Sequence, residues 1–223
     1  MHFLSKLLAL SLSAPSRIKE FAPDHQLHWE ELGEILMNLK DQGVPDLVLM
    51  NARLPTLPLS RLSIKESPGR GRGVFAAQDC QEGDLLTCYP GDLILQPTGF
   101  TPDPKEVGIQ DDQLLQDLMS RYCIGMTDDC AILGLPERDQ DMAYVGHFIN
   151  DACQEPPSNE EELEAYLEES QAKANAQLIP LENLHMVALA TRDIQKDEEV
   201  FVFYGPIYWM EHTSTWKGQV LEP

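Results

Sequence analysis

Between residues 24 and 43 the apolar positions recur at helical spacing. Trp29, Leu32, Ile35, Leu36 and Leu39 form one stripe, which predicts an amphipathic helix. Asp24 suits its N-terminal cap, Lys40 its last turn and Gly43 its stop. Residues 44–60 carry Pro45, Pro55 and Pro58 and predict a linker or extended arm. From residue 62 the period drops to two. Residues 62–66, 74–79, 85–89 and 93–96 predict short strands, separated by Gly83-Asp84 and Pro90-Gly91. Residues 97–104 predict a loop. Residues 111–121 predict a helix with Leu114, Leu115 and Leu118 on one side. A hairpin across Thr127-Asp128-Asp129 would join 122–126 to 130–135. Residues 185–191 and 200–204 are the last strong strands. Many short strands with few helices predict an α+β domain, mainly β.

One segment breaks the pattern. Residues 155–169 contain seven Glu and no Lys or Arg. Ser158-Asn159-Glu160-Glu161 fits a capping box, and Leu163, Tyr166 and Leu167 make a narrow stripe. This predicts a surface helix inserted into the domain. Its acidic face is either a solvated surface or a cradle for a basic peptide. The whole chain shares the bias, with 16 basic against 37 acidic residues and a net charge of −21. Such a surface repels phosphates, so direct nucleic-acid binding is not expected, whereas basic partners would be attracted. Five cysteines, with no Cys-x-x-Cys, fit neither a four-ligand zinc site nor a disulfide framework, and no metal is expected. No apolar run is long enough to span a bilayer. Residues 1–19 lack acidic side chains and read as an amphipathic terminus, a marginal signal peptide or an organelle-targeting segment.

Three motifs could carry chemistry. Gly69-Arg70-Gly71-Arg72-Gly73-Val74-Phe75-Ala76 lets the backbone turn sharply or approach a ligand closely. It lacks the Lys-Ser/Thr of a phosphate loop, and a strand rather than a helix follows it. His147-Phe148-Ile149-Asn150-Asp151-Ala152-Cys153 offers polar side chains after an apolar pair. Its His and Cys could form a nucleophilic pair, or each residue could simply pack. Lys196-Asp197-Glu198-Glu199-Val200-Phe201-Val202-Phe203-Tyr204-Gly205 runs a charged turn into an apolar strand ending in a tyrosine, which either packs or aims its hydroxyl into a pocket.

The order of the three resembles the SET-domain family over about residues 61–209. Gly71 to Ala76 matches the family's G-x-G-V-F-A, and Tyr89-Pro90-Gly91-Asp92 its aromatic-x-Gly with an acidic residue. His147 to Cys153 imperfectly matches R-F-I-N-H-S-C, with Asn175-Ala176 as the Asn-containing turn; Asp197 to Tyr204 matches G-E-E-L-T-F/Y-D-Y. The resemblance implies a β-clip fold of short strands with a pseudoknot-like threading, and a protein-lysine methyltransferase that uses S-adenosylmethionine. By position, Gly71, Arg72, Gly73, Asn150, Asp151 and Tyr204 would bind the cofactor. Tyr204 and Tyr122 would be the catalytic pair at the methyl-transfer point. The substrate would be a basic protein or peptide such as a histone tail, without nucleic acid or membrane. A nuclear or cytoplasmic location is expected, with organelle targeting by residues 1–19 left open.

The chain also departs from the family. His147 stands where Arg is usual, Asp151 where His is usual, and Val202 at the Phe/Tyr position. Twenty-one residues, 154–174, separate Cys153 from Asn175, and no cysteine follows Tyr204, so a zinc-bound post-SET cap is missing. Tyr208, Trp209 and Trp216 would pack in the core or close the channel instead. The expected organisation is an N-terminal extension (1–60), a SET domain (61–209) with the acidic insertion, and a tail (210–223). An inactive SET module serving as a protein-interaction domain is the competing reading, supported by Asp151.

Overall fold

The computed structural model describes residues 26–55, 57–153, 160–206 and 208–209. Residues 1–19, Asp24, Ser158, Asn159 and Trp216 therefore lie outside the described residues. Helix α1 (Trp29–Asp41) starts four residues later than the pattern predicts. His28 takes the cap position, and its backbone N–H donates to the Glu31 carboxylate at 3.4 Å. Leu32, Gly33 and Leu36 are buried, whereas Trp29, at the head of the predicted stripe, is 36% exposed. Gly43 stops the chain with φ of +88°, the left-handed region that suits glycine. The presumed linker contains a short helix, α2 (Asp46–Asn51), capped by Pro45. Four consecutive apolar residues hide it from a periodicity reading; burial of Leu49 decides it.

The remaining elements follow in chain order. Strands β1 (Leu62–Ser67), β2 (Gly71–Ala76), β3 (Leu85–Tyr89), β4 (Leu93–Gln96) and β5 (Gly99–Thr101) precede helix α3 (Asp112–Tyr122). Then come β6 (Cys123–Thr127), β7 (Cys130–Leu133), β8 (Asn150–Asp151), helix α4 (Glu160–Lys173), β9 (Ala176–Leu181), β10 (His185–Ala190) and β11 (Phe201–Val202). The strands form four small sheets, ordered β1-β2, β3-β10-β9, β11-β8 and β5-β4-β7-β6. The architecture is α+β, mainly β. β5 occupies the stretch predicted as a loop. β9 escapes the pattern because Pro180 interrupts it; at the sheet edge a missing N–H costs little. Helix α3 forms where predicted, and Asp111 serves as its cap, its carboxylate accepting the Gln113 N–H at 2.9 Å.

The β8–β11 pair gives the fold its crossing. These two strands pair in parallel, Phe201 opposite Asn150 and Val202 opposite Asp151, while the other sheets are antiparallel. The fully buried Asn175 locks the crossing. Its side-chain oxygen accepts the Phe201 N–H at 2.7 Å, and its Nδ2 donates to the Glu199 carbonyl at 2.8 Å. The Asn-containing turn of the motif thus bridges to the last strand rather than facing solvent.

The N-terminal segment shares a core with this β framework. Leu27, Leu32, Leu36, Leu49, Leu54 and Leu59 cluster with Leu85, Leu181, Leu184 and Val187. Within that cluster a polar chain is satisfied end to end. The Leu54 N–H donates to Tyr144 Oη at 2.8 Å, which lies 3.1 Å from His185 Nε2, while His185 Nδ1 lies 2.8 Å from the Leu184 carbonyl. Donor counting then makes Tyr144 the donor to Nε2 and puts the ring proton on Nδ1. Burial lowers the His185 pKa to about 4, below the unfolded value near 6.5. Below about pH 6.5 the unfolded chain therefore binds the extra proton, and this contribution to stability is lost as pH falls toward 4. Denaturant titrations should show stability dropping by roughly 2 kcal/mol from this group between pH 7.5 and 5. His185→Gln should flatten that slope; an unchanged slope would exclude His185 as its source.

Candidate functional site

The glycine-rich motif forms the β1–β2 turn and the start of β2. The Arg70 N–H bonds to the Ser67 carbonyl at 3.0 Å, and Gly69 and Gly71 have φ of +77° and +80°. Gly73 is required for a different reason. A Cβ there would lie 2.3 Å from Glu199 Oε1 and 2.9 Å from Asn150 Nδ2. The three motifs therefore meet at one point. Asn150 Nδ2 donates to the Arg72 carbonyl at 3.1 Å and to Glu199 Oε1 at 3.0 Å, and Ser67 Oγ donates to Glu199 Oε2 at 2.8 Å.

Two neighbouring cavities draw their linings from the same motifs. The smaller, about 350 Å³, is bordered by the 69–72 backbone, Arg121, Tyr122, Asn150 and Asp151. The larger, about 440 Å³, is bordered by Tyr89, Ile124, Leu178, Val202 and Phe203. Arg121, His147, Tyr204 and Tyr208 line both and form their common wall. Asn150 and Tyr204, 54 positions apart in the chain, thus border the same cavity.

Tyr204 is held from three directions. Its hydroxyl donates to the Ile149 carbonyl at 2.8 Å, its backbone N–H donates to Asp151 Oδ2 at 3.2 Å, and its ring meets Tyr208 at 4.6 Å between centroids. Burial, with the neighbouring Tyr208 and Asp151, pushes its pKa far up. The hydroxyl therefore stays protonated and acts as a dipole, not as a phenolate base. Tyr122 borders the smaller cavity rather than the larger. It packs edge-on against His147 and Phe148 with centroids 5.9 and 6.1 Å away. The Arg72 side chain bonds Asp139 at 3.0 Å and lies 4.2 Å over the Phe148 ring. The Asp151 carboxylate is occupied by protein donors. His147 and Cys153, which could have formed a nucleophilic pair, have separate surroundings: Cys153 Sγ faces Glu169 at 3.7 Å, and His147 sits among Tyr89, Tyr122 and Phe148.

Two residues on these walls have surroundings that the sequence does not show. Arg70 lies in the glycine turn, over the Phe201 ring at 5.0 Å, and donates to the Ala152 carbonyl at 3.1 Å. Its Nε is buried without a partner. His147 is 4% exposed, and neither ring nitrogen reaches hydrogen-bonding geometry, although the Leu135 backbone approaches it. Burial, aided by the Arg53 and Arg72 charges and opposed by Asp92, lowers its pKa to about 3. The ring is thus neutral at physiological pH. A cationic residue in the turn motif signalled Arg70; of the aromatics the sequence named, Tyr89 borders the larger cavity, Trp209 the smaller and Tyr208 both.

A glycine-rich hairpin, an Asn strand threaded beside the final strand and a terminal tyrosine lining two cavities match the order of motifs of one family. The SET domain model covers residues 71–205 of the chain. N-lysine methyltransferase KMT5A-A of Danio rerio is 29% identical over 144 residues, 61% of this chain and 33% of that protein. The chain thus spans about a third of the length of that relative. With more than half of its length matched and the crossing formed by the matched motifs, the chain belongs to the SET-domain family.

Proposed function

We propose that this chain is a protein-lysine methyltransferase that uses S-adenosylmethionine, with the donor in the smaller cavity and the lysine entering through the larger. One observation carries the reading: the two cavities share a wall at Tyr204, whose hydroxyl is fixed on the Ile149 carbonyl. The smaller cavity suits the donor's zwitterionic end. It offers Arg70 with an unpartnered Nε, the polar side chain of Asn150 and glycine backbone that admits close approach. When bound, the donor supplies an electrophilic methyl on a sulfonium, and the neutral lysine amine takes that methyl as the carbon–sulfur bond breaks. Gly71 leaves room for it, Arg72 contributes its backbone, and Gly73 acts one step removed by making room for the Asn150 and Glu199 side chains. Tyr204 and Tyr208 wall the narrow passage and exclude water, which favours the neutral amine over ammonium. The Tyr204 dipole orients the amine, and alignment supplies most of the rate. Tyr122 borders the donor side and shapes it.

The protein substrate is a basic segment such as a histone tail, drawn by the net charge of −21 and by the exposed Glu162, Glu164, Glu168 and Glu169 of α4. Among the described residues no helix is long and apolar enough to cross a membrane. The direct test is incubation of the pure protein with methyl-labelled S-adenosylmethionine and core histones, followed by amino-acid analysis. Labelled methyl-lysine is the expected product. Binding of the donor without transfer to any of a panel of basic proteins would favour an inactive interaction module instead.

A further inference from the structure

Asp151 stands where the family usually carries His, and its surroundings account for the change. Its carboxylate accepts five hydrogen bonds. Oδ1 takes the Cys153 N–H at 2.9 Å and the Ser170 hydroxyl at 2.6 Å. Oδ2 takes the Tyr166 hydroxyl at 2.6 Å, the Tyr204 N–H at 3.2 Å and the Trp209 Nε1–H at 3.2 Å. An imidazole has two ring nitrogens and could not serve this set of donors; a carboxylate has about four lone-pair sites. Two of the five donors come from the inserted helix. Tyr166 and Ser170 stand one turn apart on α4 and are 2% and 0% exposed. The Tyr166 ring also stacks on Phe203 at 5.8 Å and meets Trp209 edge-on at 6.3 Å, flanking Tyr204 on both sides in the chain.

We infer that the inserted acidic helix is a working part of the site, and that Asp151 is a positioning residue which transmits the placement of α4 to Tyr204 and Trp209. The role of Tyr204 in methyl transfer rests on the proposed function above; the mechanical link does not. The Asp151 carboxylate touches no reacting atom. It sets the backbone of Tyr204 at the common wall and holds Trp209 at the rim of the smaller cavity. The helix supplies the other side of the clamp through Tyr166 and Ser170, which border neither of the two cavities. The substitution of His by Asp and the 21-residue insertion are then one change, each needing the other.

Tyr166→Phe keeps the ring stacked on Phe203 and removes only the hydroxyl; Ser170→Ala removes only the second. Hydrogen exchange of the protein alone reads the link without any ligand. In the double variant, amides of the 201–209 segment should exchange roughly tenfold faster, as expected for loss of hydrogen bonds to a charged acceptor, while β1–β2 amides keep wild-type protection. Identical exchange at 201–209 in variant and wild type would overturn the proposal. In the labelled-methyl assay with core histones, kcat should fall about tenfold or more, as for a misplaced aligning group, with KM for the histone little changed. A rise in KM alone would place α4 in substrate capture rather than positioning, and would likewise overturn it. If the wild-type protein neither binds S-adenosylmethionine nor transfers methyl, the methyltransferase reading falls, and the exchange data still decide the clamp.

Discussion

Tyr204→Phe is expected to give a folded protein whose methyl transfer to histone falls by on the order of a hundredfold or more. The ring should stay in place. It is held by Tyr208 at 4.6 Å and Trp209 at 6.3 Å, and by the backbone bond to Asp151. What goes is the hydroxyl that donates to the Ile149 carbonyl from a residue lining both cavities. Because that hydroxyl stays protonated at all relevant pH, its loss removes an orienting dipole and not a base. The expected signature is a lower kcat at every pH with an unshifted profile. Near-UV circular dichroism and donor affinity should remain close to wild type. Wild-type turnover in this variant would remove Tyr204 from the mechanism.

Asp92→Ala should produce the largest loss of stability. Asp92 is 2% exposed and accepts from Arg53 Nε at 3.1 Å, Arg53 Nη2 at 2.8 Å, Arg138 Nη1 at 2.9 Å and the Leu135 N–H at 2.9 Å. The carboxylate thus fastens the segment after α2 and the loop after β7 to the start of β4. Alanine would strand the Arg53 charge and a buried N–H. Loss of a buried ion-pair partner costs about 3–5 kcal/mol; partial exposure of both arginines favours the lower end, near 3. For a chain of this size that is a drop in Tm of roughly 10 °C. Thermal melts of Asp92→Ala against Asp79→Ala, an exposed position, measure it; equal melting temperatures would dismiss the network as a stabilising element.

The acidic residue after Pro90-Gly91 was visible in the sequence as part of a motif, but its partners were not. The same division runs through the fold. Short apolar runs bounded by turn residues, β1, β3, β4, β10, β11 and the β6–β7 hairpin, were legible, as was α3. The elements that escaped are those whose identity tertiary packing decides. α2 is six residues with four consecutive apolar positions and no period, β9 contains Pro180, and β8 is only two residues long. The convergence of Gly73, Asn150 and Glu199 was legible only through the order of three motifs, since no local pattern reports a contact across the chain. The unpartnered nitrogens of Arg70 and His147 were not legible at all. They are properties of surroundings that segments distant in sequence build together. Asp151 is the instructive case: as a lone departure it argued for an inactive protein, and its five donors give it a structural reason instead.

The parallel pairing of Asn150–Asp151 with Phe201–Val202 joins positions about fifty residues apart. Contacts of such long range form late, since the intervening chain must first lose its freedom. During synthesis the ribosome must release the stretch around Tyr204 before either cavity can have its shared wall, so a nascent chain halted at α4 would carry every glycine of the first motif and no passage between the chambers. Competence should therefore arrive in one step at the end of folding, rather than growing with the length of chain made.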